Sequence, residues 1–377
     1  MKAVWQAIKN YFRRLDKVLL LLSAAAAAFS LVLLYSEVQA GFLDFSRFKM
    51  QLLAGALGIT ALIVMTLVSY RFLAKFWFLH LPVTLGLVLI TFTNLPIVYQ
   101  PPGSDDAAWL RVGGFSLQPS ELLKISFILT FAYHLSKVRD RMNKPLHVFL
   151  LCLHGAVPCL LIYKQGDMGS ALVFFFIFLC MIFTAGLQWR YILAGLGGIA
   201  VLVPVIWFSG TFPDYLKNRI RVLADVEHST LAEAYHQQVG RRILGSGEIF
   251  GKGLFSDDLN YVFAIHNDFI LAHIGQTLGF VGCTAVVLLL TSICVKILLT
   301  ARGSTDPLGC YICSGVFGMF FFQSLINIGM VLGVVPVIGI TLPFISYGGT
   351  SLLTSYLAMG LVMSVYSFNR KRPGSGY

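Results

Sequence analysis

Ile265-His266-Asn267-Asp268-Phe269 is the stretch on which the chain passes from a polar segment into an apolar one. It closes a run that begins at Ser209 and mixes Arg, Lys, Asp, Glu, His, Gln and Gly, while the sequence on both sides is a series of apolar segments separated by short hinges. A carboxylate at such a boundary can face water and still lie beside a lipid. That setting suits chemistry on a lipid-linked substrate.

Composition extends the reading to the whole chain. Of 377 residues, 57% are hydrophobic and 12% are charged, and the mean hydropathy is +0.79. A soluble domain has roughly a quarter of its residues charged, so a polytopic membrane protein is expected. Inside lipid every backbone polar group must be satisfied internally, which leaves helices or closed barrels. The apolar segments are about twenty residues long and do not alternate, so helices are predicted. Ten spans follow, near 18–36, 51–69, 76–98, 119–136, 147–163, 168–187, 190–208, 268–300, 308–333 and 350–368. The expected fold is all-α and polytopic, one integral membrane domain over 1–377. A large extracytoplasmic loop, 209–267, separates helices 7 and 8.

The net charge of +11 does not call for nucleic acid. Lys2, Lys9, Arg13, Arg14 and Lys17 precede the first span, Arg71 and Lys75 follow the second, Lys137, Arg139, Arg141 and Lys144 follow the fourth, and Arg370, Lys371 and Arg372 follow the last. Cationic loops stay cytoplasmic, which places both termini in the cytoplasm and the long loop outside. The first segment, Val18 to Tyr35, is too long for a cleaved signal peptide and is followed by others like it. The seven cysteines all fall in apolar segments. Even Cys310 and Cys313 read as small packing residues, having no second pair or nearby His.

Polar residues concentrate at the outer ends of the spans. Gln118-Pro119-Ser120-Glu121-Leu122-Leu123-Lys124 opens a helix with Pro in its first turn. Glu121 and Lys124 share a helix face and are expected to pair, as a structural ion pair or as a substrate contact. Asp167 lies in a tight hinge, Gln165-Gly166-Asp167-Met168-Gly169-Ser170, where a turn needs Gly and Asp in any case. Gly245-Ser246-Gly247 and Gly251-Lys252-Gly253 fail the Walker pattern. A looser anion site remains, with backbone N–H groups and Lys252, Arg241 or Arg242 around a pyrophosphate. Asp268 is either a charge at a helix N-terminus or a reacting carboxylate.

The last diagnostic stretch runs Asn327-Ile328-Gly329-Met330, Gly333-Val334-Val335-Pro336-Val337-Ile338-Gly339-Ile340 and Leu342-Pro343-Phe344-Ile345-Ser346-Tyr347-Gly348-Gly349-Thr350-Ser351. It is a helix broken by Gly and Pro at membrane depth, tolerated only where it is buried in protein or lines a cavity. Its spacing resembles the signature of the shape, elongation, division and sporulation family, the FtsW/RodA/SpoVE type. The Gln118–Lys124, Gln165–Ser170, Gly245–Gly253 and His266–Phe269 stretches resemble the family's other motifs in the same order. The resemblance implies a ten-helix peptidoglycan glycosyltransferase. Such an enzyme polymerises lipid II, an undecaprenyl-pyrophosphate-linked disaccharide peptide, beside a class B penicillin-binding transpeptidase. It implies Asp268 as the catalytic base. The substrate-facing set expected with it is Glu121, Lys124, Asp167, Arg219, Arg221, Lys252, His266 and Ser346. Positive charge for the leaving diphosphate would come from these cations or from a divalent cation, Mg²⁺ or Mn²⁺.

The sequence also departs from the family pattern. Phe263-Ala264 stands where Pro-Glu is usual, Gln276-Thr277 where two Glu are usual, and Ala108 where an Arg is common. Val239-Gly240 replaces a Gln-Ser pair, with Gln237 and Gln238 lying just upstream. These losses admit a second reading, a weakly active or inactive scaffold for the transpeptidase. A third, a lipid-linked precursor flippase, would use Glu121, Lys124 and Asp167 to line a path. The large external loop favours chemistry outside over transport.

Overall fold

The computed structural model describes residues 5–6, 11, 13–100, 107–113, 115–209, 214–223 and 232–369. Helix α1 (Lys17–Gln39) starts where the Asp16 carboxylate accepts hydrogen bonds from the amides of Val18 and Leu19. There follow α2 (Phe45–Leu67), the single-turn α3 (Tyr70–Lys75) and α4 (Trp77–Ile90). A small antiparallel sheet of β1 (Val98–Tyr99), β2 (Trp109–Val112) and β3 (Phe115–Leu117) comes next, with Tyr99 opposite Trp109 and Arg111 opposite Ser116. The remaining helices are α5 (Pro119–Val138), α6 (Pro145–Lys164), α7 (Met168–Ala185), α8 (Trp189–Phe208), α9 (Asp214–Val222), α10 (Ala232–Gly245), α11 (Ile270–Arg302), α12 (Pro307–Leu332) and α13 (Gly349–Asn369).

Each expected span coincides with one of these helices. Eight of them (α1, α2, α6, α7, α8, α11, α12 and α13) are long and apolar enough to cross a membrane. The third span is shorter than expected, because α4 ends at Ile90 and the chain turns through Thr91 toward the outer sheet. Small residues set the packing distances, as is usual where helices meet in lipid. Gly58 of α2 seats the Tyr356 ring and Gly360 of α13 seats Leu62 and Met65, so these two helices pack along their length. Gly315 and Gly318 of α12 do the same against Ile128, Met181 and Cys180. By contrast α8 buries none of its residues and touches the core near its start, through Tyr191 and Ile192.

The inner ends are tied by charge. Lys296 of α11 pairs with Asp16 at 2.8 Å. Asp306, which caps α12, accepts from Tyr70 Oη at 2.9 Å and from Arg71 Nε at 2.7 Å.

One feature of α11 departs from the expected single span. Gly279 has φ 67° and ψ −162° inside it, so the helix is broken there. The backbone groups freed by the break are taken up by the loop after α10: Lys252 N donates to Gln276 O, Gly253 N to Thr277 O, Phe280 N to Glu248 O and Val281 N to Ile249 O. A Cβ on Gly247 would lie 2.0 Å from the Gly275 carbonyl, and one on Gly251 would lie 2.3 Å from that of Thr277. Only bare glycine backbone comes this close. The glycines read in the sequence as a phosphate cradle are therefore a seam: the amides of Lys252 and Gly253 are spent on α11, and that of Gly251 on Gly247 O.

Candidate active site

The segment carrying Asp268 has little regular structure of its own and is held by its backbone. Ala264 takes a left-handed conformation (φ 58°), and its carbonyl accepts from the amides of Asn267 and Phe269. The next three carbonyls to matter are each caught by the C-terminal signature. Tyr347 N donates to His266 O at 2.7 Å. Ser346 Oγ donates to Asn267 O at 2.6 Å. Asn327 Nδ2 donates to Asp268 O at 2.9 Å and to Ile340 O at 2.7 Å. Asn327 is fully buried, so both bonds form out of water, where an unmet carbonyl costs most.

The signature is itself braced from the first two helices and from α10. Ser30 Oγ donates to Ile345 O, Gln51 Nε2 to Ser346 O, and Gly348 N to Gln51 Oε1. Gln237 Nε2 donates to both Met330 O and Val335 O. The Asp268 side chain is half-exposed, and its Oδ2 stands 3.8 Å from where a Cβ would be on Gly339. Gly339 has φ 72° and puts no side chain against the carboxylate. On the other side of this segment a Cβ on Gly169 would lie 2.5 Å from Ile338 O, which brings the start of α7 to the same place.

The expected site residues separate into groups. Asp167 caps α7 through Ser170 N at 2.8 Å and accepts from Gln118 Nε2 at 2.8 Å, so it joins α5 to α7 beside the signature. Lys124 and Glu121 form a buried ion pair at 2.6 Å. Ser346 is spent on backbone. The Lys252 ammonium is bonded to Asp258, at 2.8 Å from its Oδ2. Arg219 and Arg221 lie on α9, which packs through Val222 against Ala234 of α10. Arg241 is better placed, lying across Gly333 at the start of the broken segment, 3.0 Å from where a Cβ would be.

His266 is buried. Arg47 Nη1 donates to its Nε2 at 3.2 Å, and the Tyr347 ring meets it edge-on. Burial, with the Arg47 charge adding to it, pushes the imidazole pKa down to about 4, so the ring is neutral at neutral pH. Arg47 and the Glu37 carboxylate, 3.9 Å from His266 Nδ1, were not found by sequence reasoning. One signal for Arg47 was available: a cation at an outer helix end runs against the rule that keeps cations inside.

A divalent cation has no ready cage. Among the described residues, no group of three or more His, Cys, Asp or Glu is placed to hold one. The donors present fit only an ion arriving on phosphate oxygens and completed by Asp268 and water, as Mg²⁺ commonly is.

The FtsW/RodA/SpoVE model, described as "Cell cycle protein", matches residues 15–371. The chain belongs to the FtsW/RodA/SpoVE family. A "Probable peptidoglycan glycosyltransferase FtsW" of Geobacter metallireducens is 32% identical over 93% of this chain and 94% of that one. The "Peptidoglycan glycosyltransferase MrdB" of Escherichia coli K12 is 27% identical over 98% and 96%. Among solved structures, a chain from a study of polymerization and crosslinking by a peptidoglycan synthase complex superposes with TM-score 0.79 at 28% identity, covering 95% of this chain and 99% of that one. The rod shape determining protein RodA of Thermus thermophilus superposes at 0.68 with 26% identity, covering 95% and 98%.

Several departures from the FtsW/RodA/SpoVE pattern have a local physical basis. Gln276 is fully buried; its Oε1 accepts from Asn260 N at 2.9 Å and its Nε2 donates to Asn260 O at 3.0 Å. A carboxylate could make only the first of these bonds. Thr277 Oγ1 returns to His273 O at 2.7 Å. Gly240 faces the Phe269 ring, 2.6 Å from where a Cβ would be, so α10 sits directly on the residue after Asp268. Ala108 is fully buried, and the sheet's guanidinium is Arg111, stacked on Tyr99.

Proposed function

We propose that this chain is a peptidoglycan glycosyltransferase that polymerises lipid II at the outer face of a bacterial plasma membrane, with Asp268 as general base. The observation that carries the reading is the triple hold on the carbonyls of His266, Asn267 and Asp268. It fixes one half-exposed carboxylate beside a bare glycine, where helices meet a broken segment. Proximity of this kind, with the backbone preset, lowers the cost of reaching a reactive geometry.

In the reaction, the acceptor sugar's hydroxyl oxygen bonds to the donor's anomeric carbon as its proton passes to the Asp268 carboxylate. The bond from that carbon to the diphosphate oxygen breaks on the opposite face. The electron pair leaves with undecaprenyl diphosphate. A single displacement inverts the carbon and needs no second carboxylate as nucleophile. The leaving diphosphate calls for positive charge. Arg241, by its place over Gly333 at the start of the broken segment, and Lys252, which is bonded to Asp258, are the cations offered for that need. A divalent cation carried on the diphosphate would add charge neutralisation when bound. Lys124 and Glu121 are assigned to holding α5 in place beneath the site, and Asp167 to joining α5 with α7.

By analogy with the synthase complex in which polymerization and crosslinking are coordinated, the partner is a crosslinking enzyme of the class B penicillin-binding type. Both termini are placed in the cytoplasm. A Cys at Asp257 in a Cys-free background should then react with an impermeant thiol reagent from outside intact cells, and labelling only after lysis would reverse the orientation. The function itself is tested in liposomes holding the chain, its partner and lipid II in the outer leaflet. Polymer is the expected product. Transfer of labelled lipid between leaflets without polymer would make the chain a flippase, and neither polymer nor transfer, with partner binding kept, would make it a scaffold.

A further inference from the structure

Glu37 is the least explained polar residue in the molecule. It lies on the last full turn of α1, is completely buried, and neither of its carboxylate oxygens has a hydrogen-bond partner among the described residues. A buried acid without a hydrogen-bond partner costs free energy in either protonation state, and nothing in the packing of α1 requires an acid there. The group facing it is the imidazole of His266, whose Nδ1 also lacks a partner and stands 3.9 Å from Glu37 Oε2.

The chemistry of the three side chains fixes their order. A guanidinium has donors and no acceptor, so the Nε2 that Arg47 bonds must present a lone pair. The imidazole is neutral, as the burial of His266 dictates. Its one proton therefore sits on Nδ1, on the side of Glu37. Glu37 Oε2 faces that nitrogen, and a carboxyl oxygen placed there can accept its proton in the tautomer that Arg47 needs. The 3.9 Å separation exceeds hydrogen-bond range; closing it takes a shift of about 1 Å. The row starts at a fully buried carboxylate, passes through a neutral ring, and ends on an exposed arginine.

We propose that Glu37 and His266 are positioning residues that hold the Arg47 guanidinium as a binding group for the diphosphate of the lipid-linked substrate. Arg47 spends one donor on His266 and keeps the rest of its planar fork, which matches phosphate oxygens. Its partner His266 is two residues in sequence from Asp268, and Arg47 itself lies in the first turn of α2. This inference rests on the glycosyltransferase reading for the identity of the ligand, although the geometry alone specifies an anionic headgroup.

Binding measured without turnover tests it. The full chain in phosphatidylcholine nanodiscs is titrated with undecaprenyl diphosphate, and thermal unfolding is recorded beside each titration. Arg47→Gln should weaken binding at least about tenfold, the scale of one charged hydrogen-bonding contact. Glu37→Gln should weaken it by about three- to tenfold while Tm holds, because an amide keeps the shape of the side chain but can turn its NH₂ donors to the ring and so permits the wrong tautomer. The double variant should bind no more weakly than Arg47→Gln alone, since Glu37 acts through Arg47. Undiminished binding by Arg47→Gln, or additive losses in the double variant, would overturn the proposal. So would an equal loss of affinity for phosphatidylglycerol, which would make the site a general headgroup contact. Normal diphosphate binding by a parent chain that makes no polymer would sink the glycosyltransferase reading and leave this one standing.

Discussion

The two ends of the bundle are held by different means. At the inner end, regular helices reach their caps and are joined side chain to side chain: Lys296 to Asp16, and Arg71 and Tyr70 to Asp306. At the outer end side-chain pairs such as Gln118–Asp167 are joined by many bonds that run from side chain to backbone. Asn327, Ser346, Gln51, Gln237 and Gln276 each reach main-chain atoms of an irregular segment. An ion pair fixes how far apart two helices stand but leaves long side chains to adjust. An amide bonded to a carbonyl fixes the path of the chain itself. The difference marks where placement within a fraction of an ångström matters.

The strongest way to break this contrast is to remove one carboxylate from each end. Asp268→Asn keeps the size of the side chain and all three held carbonyls. Loss of a general base should lower lipid II polymerisation by about a hundredfold to ten-thousandfold, with thermal stability and partner binding nearly unchanged. Asp306→Asn should do the reverse, lowering stability by about 1 kcal/mol and leaving polymerisation within about twofold. Near-parental polymerisation by Asp268→Asn would remove the general base from the mechanism.

Next comes the buried Glu121–Lys124 ion pair. Lys124→Met should destabilise by about 3–5 kcal/mol, because it strands Glu121 in a site where the pair is almost wholly buried. Glu121→Gln with Lys124→Met should be milder, measured as yield and Tm in the same detergent. A double variant at least as damaging as the single would mean that the pair serves substrate rather than structure.

A smaller effect is expected from the backbone holds. Asn327→Ala frees two buried carbonyls, of Asp268 and Ile340. It should cost about 2–3 kcal/mol and lower polymerisation more than its loss of stability accounts for. Activity that follows folded protein in simple proportion would reduce Asn327 to a packing residue. The smallest effect belongs to Gln276→Glu, which restores the family's acid yet cannot donate to Asn260 O. A loss of about 1 kcal/mol is expected, and a gain in Tm would show that the amide is not needed there.

The sequence carried the helices well, because a span is a property of composition over about twenty residues and needs no knowledge of neighbours. It carried the Glu121–Lys124 pair for a related reason, since residues three apart on a helix meet whatever the tertiary fold. Asp268 was visible as an acid at a helix mouth. What stayed hidden depended on long-range contact. Ser346 and the glycines of 245–253 read as ligand groups because hydroxyls and bare amides bind phosphates; their actual partners are Asn267 O and the carbonyls flanking Gly279. Glu37 and Arg47 lie more than two hundred residues before His266, and one of them is inside a span. No local pattern could join them.

The break at Gly279 has a mechanical consequence. Residues 280–302 of α11 rise about 34 Å at 1.5 Å per residue, enough to cross the hydrocarbon core unaided. The nine residues from Ile270 to Leu278, nearly all buried, are gripped by the loop after α10 and by neighbouring helices. The bonds across the break hold both pieces to the same loop, Gln276 and Thr277 above it and Phe280 and Val281 below it. Gly279 thus works as a rigid elbow that lets one helix change direction beneath the acid without losing its backbone bonds.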